Sequence, residues 1–162
     1  MKRNSIIIAI CAMAVVTFTA CNESKFRIEG SIANAKDSML YLENMSLDGP
    51  VKTDSVKLDE NGAFSFCGEK PEAPEFYRLR IAAQIINISI DSTETVTVKA
   101  RYPEMASQYT VEGSENCSKI KELALRQMSL QQKVIEISQN PMLGVRATED
   151  SIQSLVNAYK ED

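Results

Sequence analysis

The sequence predicts a mainly β fold, an antiparallel β-sandwich or barrel-like domain followed by a C-terminal α-helical hairpin, behind an N-terminal export signal. Three observations predict it. Short runs of alternating apolar and polar residues recur about every ten residues, each bounded by turn formers, as in all-β domains. Asn61-Gly62 stands between two such runs, and that pair tolerates the positive φ of a tight hairpin turn. Beyond Gly113 the apolar period lengthens to three or four residues, the period of a helix.

In chain order, Lys2 and Arg3 precede an apolar run from Ile6 to Phe18 that is too short to span a bilayer as a mature helix, and Thr19-Ala20 are small residues. Residues 1–20 are therefore a secretory signal, 21–24 a polar tether, 25–113 the β-domain and 114–162 the helical hairpin or linker. Phe26, Ile28 and Ile32 alternate in a first strand, and Asn34 to Asp37 form a turn. Met39 to Leu42 make a second strand, broken at Leu47 to Pro50. Val56 and Leu58 on one arm and Phe64 and Phe66 on the other predict a hairpin over 54–66 with Asn61-Gly62 at its tip. Both phenylalanines then face one core. Cys67 to Pro74 is a loop, and Pro74 marks the start of the next strand. Phe76 to Ile81, Ile85 to Ile90 (Ile86, Ile88 and Ile90 on one face), Thr95 to Val98 and Tyr109 to Val111 complete the strands.

Ser114 is placed to cap the first helix, with Glu115 favoured by the helix dipole. Ile120, Leu123, Gln127, Leu130, Val134 and Ile137 form its stripe, which Gln127 interrupts. Asn140-Pro141 to Gly144 end it. Thr148 is read as the cap of a second helix whose Ile152, Leu155, Val156 and Tyr159 share a face. The chain stops at Lys160 to Asp162 without a terminator, which gives the appearance of truncation inside an element.

The chain of 162 residues carries a net charge of −4. Removal of Lys2 and Arg3 with the signal leaves 16 Lys+Arg against 22 Asp+Glu, a net −6. Such a chain is a poor partner for nucleic acid or anionic head groups, and no basic cluster follows a phosphate track. Of four cysteines, Cys67 and Cys117 remain in the mature body beside Cys21, and neither belongs to a Cys-x-x-Cys. Spacing leaves one disulfide or two separate thiols open, and the reading taken is two small, buried or half-buried thiols. With no histidine, Ser-His and Cys-His activation and the common zinc sets are excluded. Asp54, Asp59 and Glu60, or Asp91 and Glu94, are conceivable calcium or acid/base groups. Their spacing is not that of an EF-hand, and turn chemistry accounts for them. Gly30, Gly49, Gly62 and Gly68 are scattered turn glycines rather than a phosphate loop. No catalytic residue, metal or cofactor is expected.

Phe18-Thr19-Ala20-Cys21 resembles a bacterial lipobox, with Phe18 in place of the usual Leu, and the resemblance implies lipidation of Cys21. Several acyl chains on one residue hold a protein stably at a membrane. Phe26-Arg-Ile-Glu-Gly30, Leu40-Tyr-Leu42, Asp54-Ser-Val56, Asn61-Gly-Ala-Phe-Ser-Phe66, Phe76-Tyr-Arg-Leu79 and Ile90-Asp-Ser92 together resemble the N-terminal domain of unknown function that precedes thioredoxin-like domains in lipoproteins of certain anaerobic Gram-negative bacteria. The resemblance covers roughly residues 25–115, and the helices resemble that family's linker. Its thiol–disulfide chemistry belongs to a downstream Cys-x-x-Cys domain, so no catalytic residue carries over. Asp37-Ser38, Asp54-Ser55, Asp91-Ser92 and Asp150-Ser151 match an O-glycosylation sequon of exported proteins in such bacteria, although Asp-Ser is also turn and cap chemistry. The expectation is a lipid-anchored, non-catalytic envelope protein facing the periplasm or cell surface, with a protein or glycan partner. The alternative is the N-terminal piece of a thiol–disulfide oxidoreductase.

Overall fold

The computed structural model describes residues 24–142 and 144–161; the signal, Cys21 and most of the tether lie outside the described residues. Period-two alternation becomes eight strands: β1 Lys25–Ala33, β2 Met39–Ser46, β3 Gly49–Lys57, β4 Ala63–Glu69, β5 Glu75–Ile81, β6 Gln84–Ile90, β7 Thr95–Arg101 and β8 Tyr109–Glu112. Helices α1 Glu115–Ser138 and α2 Val145–Glu161 follow. The strands form two four-stranded sheets, ordered β4-β1-β7-β8 and β3-β2-β5-β6. The protein is therefore mostly β, with a C-terminal pair of helices.

Alternate residues of each strand point to opposite faces, so each sheet turns one apolar face inward. Phe26, Ile28, Ile32, Phe64, Phe66, Val96 and Val98 from the first sheet meet Leu40, Leu42, Leu79, Ile81, Ile86, Ile88 and Ile90 from the second in one buried cluster. Phe26 and Tyr77 join the two layers with ring centroids 5.2 Å apart. Phe64 and Phe66 share the core as the alternation predicts, with centroids 5.8 Å apart. Met105 and Ala35, from connecting segments, fill the ends.

The expected hairpin over 54–66 does not form. β3 pairs with β2, Val56 lying opposite Leu40, whereas β4 pairs with β1 in the other sheet, Phe66 lying opposite Ile28. Asn61-Gly62 carries a crossover over the end of the sandwich instead. Gly62 does adopt the left-handed φ of 66°. Its amide bonds the Asp59 carbonyl, the Asn61 amide bonds Asp59 Oδ1, and the Ile32 amide donates to the Gly62 carbonyl. Only Gly62 of the pair takes a positive φ, so no primed two-residue turn forms, and the pairing is decided by Leu58. That side chain enters the core, and its amide donates to the Ser38 carbonyl at 2.9 Å while the Asp37 amide donates to the Leu58 carbonyl at 3.0 Å. The β1–β2 and β3–β4 crossovers thus bind one another.

Other expectations are refined. The break at Leu47 to Pro50 is a tight β2–β3 hairpin, with Ser46 opposite Gly49. A second hairpin joins Ile81 and Gln84 through Ala82, at a φ of 49°. β4 continues through Cys67 to Glu69, where a loop was expected. The sheets are not wholly antiparallel, since β1 runs parallel to β7 with Ile28 opposite Val96. Gly30, at a φ of 149°, permits this pairing, because a Cβ there would run into the Val98 carbonyl. Thr148 does not cap α2: the helix begins at Val145 and the Thr148 hydroxyl bonds back to the Gly144 carbonyl. Ser114 does cap α1, its Oγ accepting from the Cys117 amide at 3.3 Å.

Phe66→Ala should cost about 3 to 5 kcal/mol, because it removes a buried ring and leaves a cavity, while Ser65→Ala on the exposed face should stay within about 0.5 kcal/mol. Gly62→Val should also destabilise strongly, since its side chain would meet the Ile32 carbonyl. Removal of residues 146–162 should leave a cooperative transition, because α2 packs mainly on α1. Urea melts report all four. Loss of the transition in the truncated chain alongside a harmless Phe66→Ala would place the core in the helices instead.

Candidate functional site

The alternation that buries Tyr77, Leu79 and Ile81 sends Phe76, Arg78 and Arg80 to the outer face of the second sheet. Register sets their neighbours. Arg80 lies between Tyr41 of β2 and Ile85 of β6; Arg78 lies between Glu43 and Asn87; Phe76 lies beside Ser89. A register shift after Leu42 adjusts β2 at Glu43.

Glu43 is only 5% exposed although it sits on an outer face. Two guanidinium groups cover it. Arg80 donates Nε at 2.9 Å and Nη2 at 2.7 Å to Oε1, and Arg78 donates Nε to Oε2. The Arg80 hydrogen bond holds the Glu43 carboxyl below its usual range, opposed by burial and supported by Arg78. Arg80 also lies 4.6 Å from the centre of the Tyr41 ring, with Lys52 at 6.0 Å from it, so one aromatic face attracts two cations.

The next rung is apolar. Met45, Phe76, Tyr77, Asn87 and Ile120 line a pocket of about 420 Å³. Phe76 is 53% exposed, and Met45 is exposed beside it. Ile120 belongs to α1, which is held against the edge of β6 by Cys117. That thiol donates to the Ser89 carbonyl at 3.1 Å, and the Ser89 amide points at the sulfur at 3.4 Å. It thereby satisfies edge groups that no further strand pairs. Burial pushes the Cys117 thiol up, against the hydrogen bonds from Ser114 and Ser89. A protonated, enclosed thiol is a poor nucleophile.

The arrangement suits binding better than proton transfer. Glu43 is saturated by charged donors and stays ionised. Tyr77 donates its hydroxyl to Glu75, and burial first, with that bond, pushes its pKa up to about 12. Among the described residues no three of His, Cys, Asp and Glu gather closely enough to hold a metal ion.

The residues singled out in the sequence are dispersed. Cys117 is a buried free thiol, whereas Cys67 is exposed on β4, so the two do not pair with each other and Cys67 is no buried thiol. Register explains this: Cys67 faces outward opposite Arg27 on the first sheet, and Cys117 lies at the far edge of the second. Ser38 sits in the β1–β2 crossover, Ser55 on edge strand β3, Ser92 between β6 and β7, and Ser151 in α2 with its hydroxyl on the Ala147 carbonyl. All four are half-buried. Asp54, Asp59, Asp91 and Glu94 accept nearby backbone or side-chain hydrogens, and Glu60 pairs with Lys36. Tyr41, Glu43, Met45, Phe76, Arg78, Arg80 and Ile120 were not recognised in the sequence as one surface. Phe76-Tyr-Arg-Leu-Arg-Ile81 carried a signal, since its alternation sets an aromatic ring outside with two arginines.

Glu43→Gln should destabilise the fold at neutral pH by about 1.5 to 3 kcal/mol, the range for a hydrogen bond to a charged group. Because the folded carboxyl titrates lower than the unfolded one, its stabilisation is present above the ordinary carboxylate range and is lost as pH falls through the folded value. Urea titrations of both chains should therefore show a gap at neutral pH that narrows in acid. A gap that is absent at neutral pH, or that widens in acid, contradicts the ionic arrangement.

A family model described as Domain of unknown function (DUF4369) matches residues 26–119, more than half of the chain. No curated protein matches. Among solved structures, a crystal structure of (S)-allantoin synthase matches with a TM-score of 0.40 and 9% identity, over 57% of this chain and 45% of that one. The chain thus spans under half the length of that structure.

Proposed function

Because the chain belongs to the family described as Domain of unknown function (DUF4369), we propose that it is a non-catalytic binding or accessory module of the kind found in front of thioredoxin-like domains, carried at a membrane by lipid on Cys21. The observation that carries the binding role is the exposed Phe76 pocket beside the Glu43–Arg78–Arg80 group. An aromatic side chain left half open next to ordered charges is the composition of a recognition surface. A protein or glycan is the partner class, and nucleic acid is disfavoured by the net negative charge.

The absence of catalysis is supported by the state of Cys117. Its thiol is tied to Ser89, kept protonated by burial and without a Cys-x-x-Cys partner, so it lacks the thiolate that begins disulfide exchange. The lipid anchor rests on the sequence Phe18-Thr19-Ala20-Cys21, and it would set the module in the cell envelope, facing the periplasm or the cell surface. O-glycans on Ser38, Ser55, Ser92 or Ser151 belong to the same reading of an exported protein.

Detergent phase partitioning and mass spectrometry test the anchor. The protein should enter the detergent phase with an acylated Cys21, and Cys21→Ser should release it to the aqueous phase. A Cys21 found as a free thiol or in a disulfide overturns the anchor. Insulin reduction with dithiothreitol tests the rest: turnover should equal background. Activity that disappears in Cys67→Ser or Cys117→Ser would make the protein an oxidoreductase.

A further inference from the structure

We propose that the outer face of the second sheet recognises an extended peptide segment bearing a large apolar side chain at one position and a carboxylate two residues further on. The apolar group enters the Phe76 pocket and the carboxylate meets the Arg78 guanidinium. This rests on the reading of that face as a binding surface and adds the chemistry of its ligand.

The two arginines are not equivalent. Arg80 engages all three of its nitrogens, with Nε and Nη2 on Glu43 and Nη1 directed at the Ala82 carbonyl at 3.4 Å. Arg78 spends only Nε on Glu43, and among the described residues its Nη donors meet no acceptor. No buried side-chain polar atom lacks a partner, so those donors keep contact with solvent on a side chain that is 19% exposed. Two parallel N–H groups on a planar, pinned guanidinium match a carboxylate bidentately. Glu43 and Arg80 orient Arg78, and Arg78 presents the free edge.

Spacing selects a peptide. Phe76 and Arg78 are two residues apart on one face of β5, roughly 6.6 Å along the strand. An extended ligand repeats the same distance between its own residues i and i+2. A large side chain fits a pocket of about 420 Å³ walled by Met45 and Ile120, while the next side chain but one reaches Arg78. Asn87, directly opposite Arg78 and also lining the pocket, offers an amide to the ligand backbone.

Charge selects a single carboxylate rather than a polyanion. This face carries Arg78, Arg80 and Lys52 against Glu43, in a chain whose net charge is −4. Glu75, at the same end of β5, is engaged by Asn44 and Tyr77. A local cationic patch attracts one acidic group, and the acidic remainder repels densely charged chains.

The test is fluorescence anisotropy of the full chain carrying Cys21→Ser with a fluorescein-labelled peptide Gly-Ser-Phe-Ser-Glu-Ser-Gly. Its Phe-Ser-Gln and Ser-Ser-Glu analogues are run in parallel. The parent peptide should bind about tenfold more tightly than either analogue, and the Glu preference should shrink in about 0.5 M salt. Arg78→Gln should abolish the preference for Glu over Gln while Phe binding persists. Phe76→Ser, at an exposed position that does not support the core, should abolish binding of both Phe peptides. Should Arg78→Gln unfold, Arg78→Lys keeps the charge without the bidentate edge and should reduce the preference. Equal binding of the Glu and Gln peptides, lost together in Phe76→Ser, overturns the carboxylate assignment and leaves the binding surface standing. Tighter capture of a sulfated hexasaccharide through Arg78 overturns the peptide assignment in favour of a glycan. Self-association that Phe76→Ser removes puts a second copy on the face and overturns it equally. No binding of any probe overturns the inference, while the anchor and the insulin assay decide the rest of the proposed function separately.

Discussion

A chain that alternates between two sheets must carry its backbone over the end of the sandwich without leaving buried amides unpaired. Residues 58–62 meet that constraint, and the arrangement of the strands depends on it. Leu58 enters the space between the sheets while its amide and carbonyl bond Ser38 and Asp37 of the neighbouring crossover. Gly62 then turns into β4 at a φ of 66° and takes the Ile32 amide, which anchors β4 beside β1. With β4 and β7 on its two sides, β1 becomes a central strand, and Gly30 lets its backbone approach that of β7. The first sheet is thus assembled from strands distant in sequence.

The second sheet is built from hairpins and owes its surface to its edge. β6 would present unpaired amides and carbonyls, and α1 closes part of that edge through the Cys117 thiol on Ser89. The same contact brings Ile120 over β5 and converts a flat sheet face into a pocket. The helix therefore serves two ends. Its first turns complete the β-domain, and its remainder carries exposed Leu123 and Ile135 and packs on α2.

On that surface, the apolar and ionic rungs are adjacent because strand geometry makes them so. Phe76, Arg78 and Arg80 succeed one another at two-residue steps, and each is flanked by what β2 and β6 supply at that level. Glu43 is the pivot of the ionic part. Removed from water, it is satisfied by two guanidinium groups that are themselves only part-covered, so the ionic group has a fixed geometry at modest desolvation cost.

The sequence by itself determined the elements: period-two runs became strands, Phe64, Phe66, Ile86, Ile88, Ile90, Val96 and Val98 went to the core, and Ser114 capped a helix. These are local consequences of alternation, turn chemistry and capping, so they are legible one segment at a time. Tertiary structure decided the partners. Asn61-Gly62 specifies a positive φ but not which strands hydrogen-bond on either side of it, and burial of Leu58 between two layers turned an apparent hairpin into a crossover. The candidate site was partly visible, since alternation in β5 sets Phe76, Arg78 and Arg80 outside together. Glu43 and Ile120 lie 35 and 42 residues from Arg78 in the chain, and only sheet register and the docking of α1 bring them to its side. Long-range pairing is a property of packed layers, and a pattern read along one strand does not contain it.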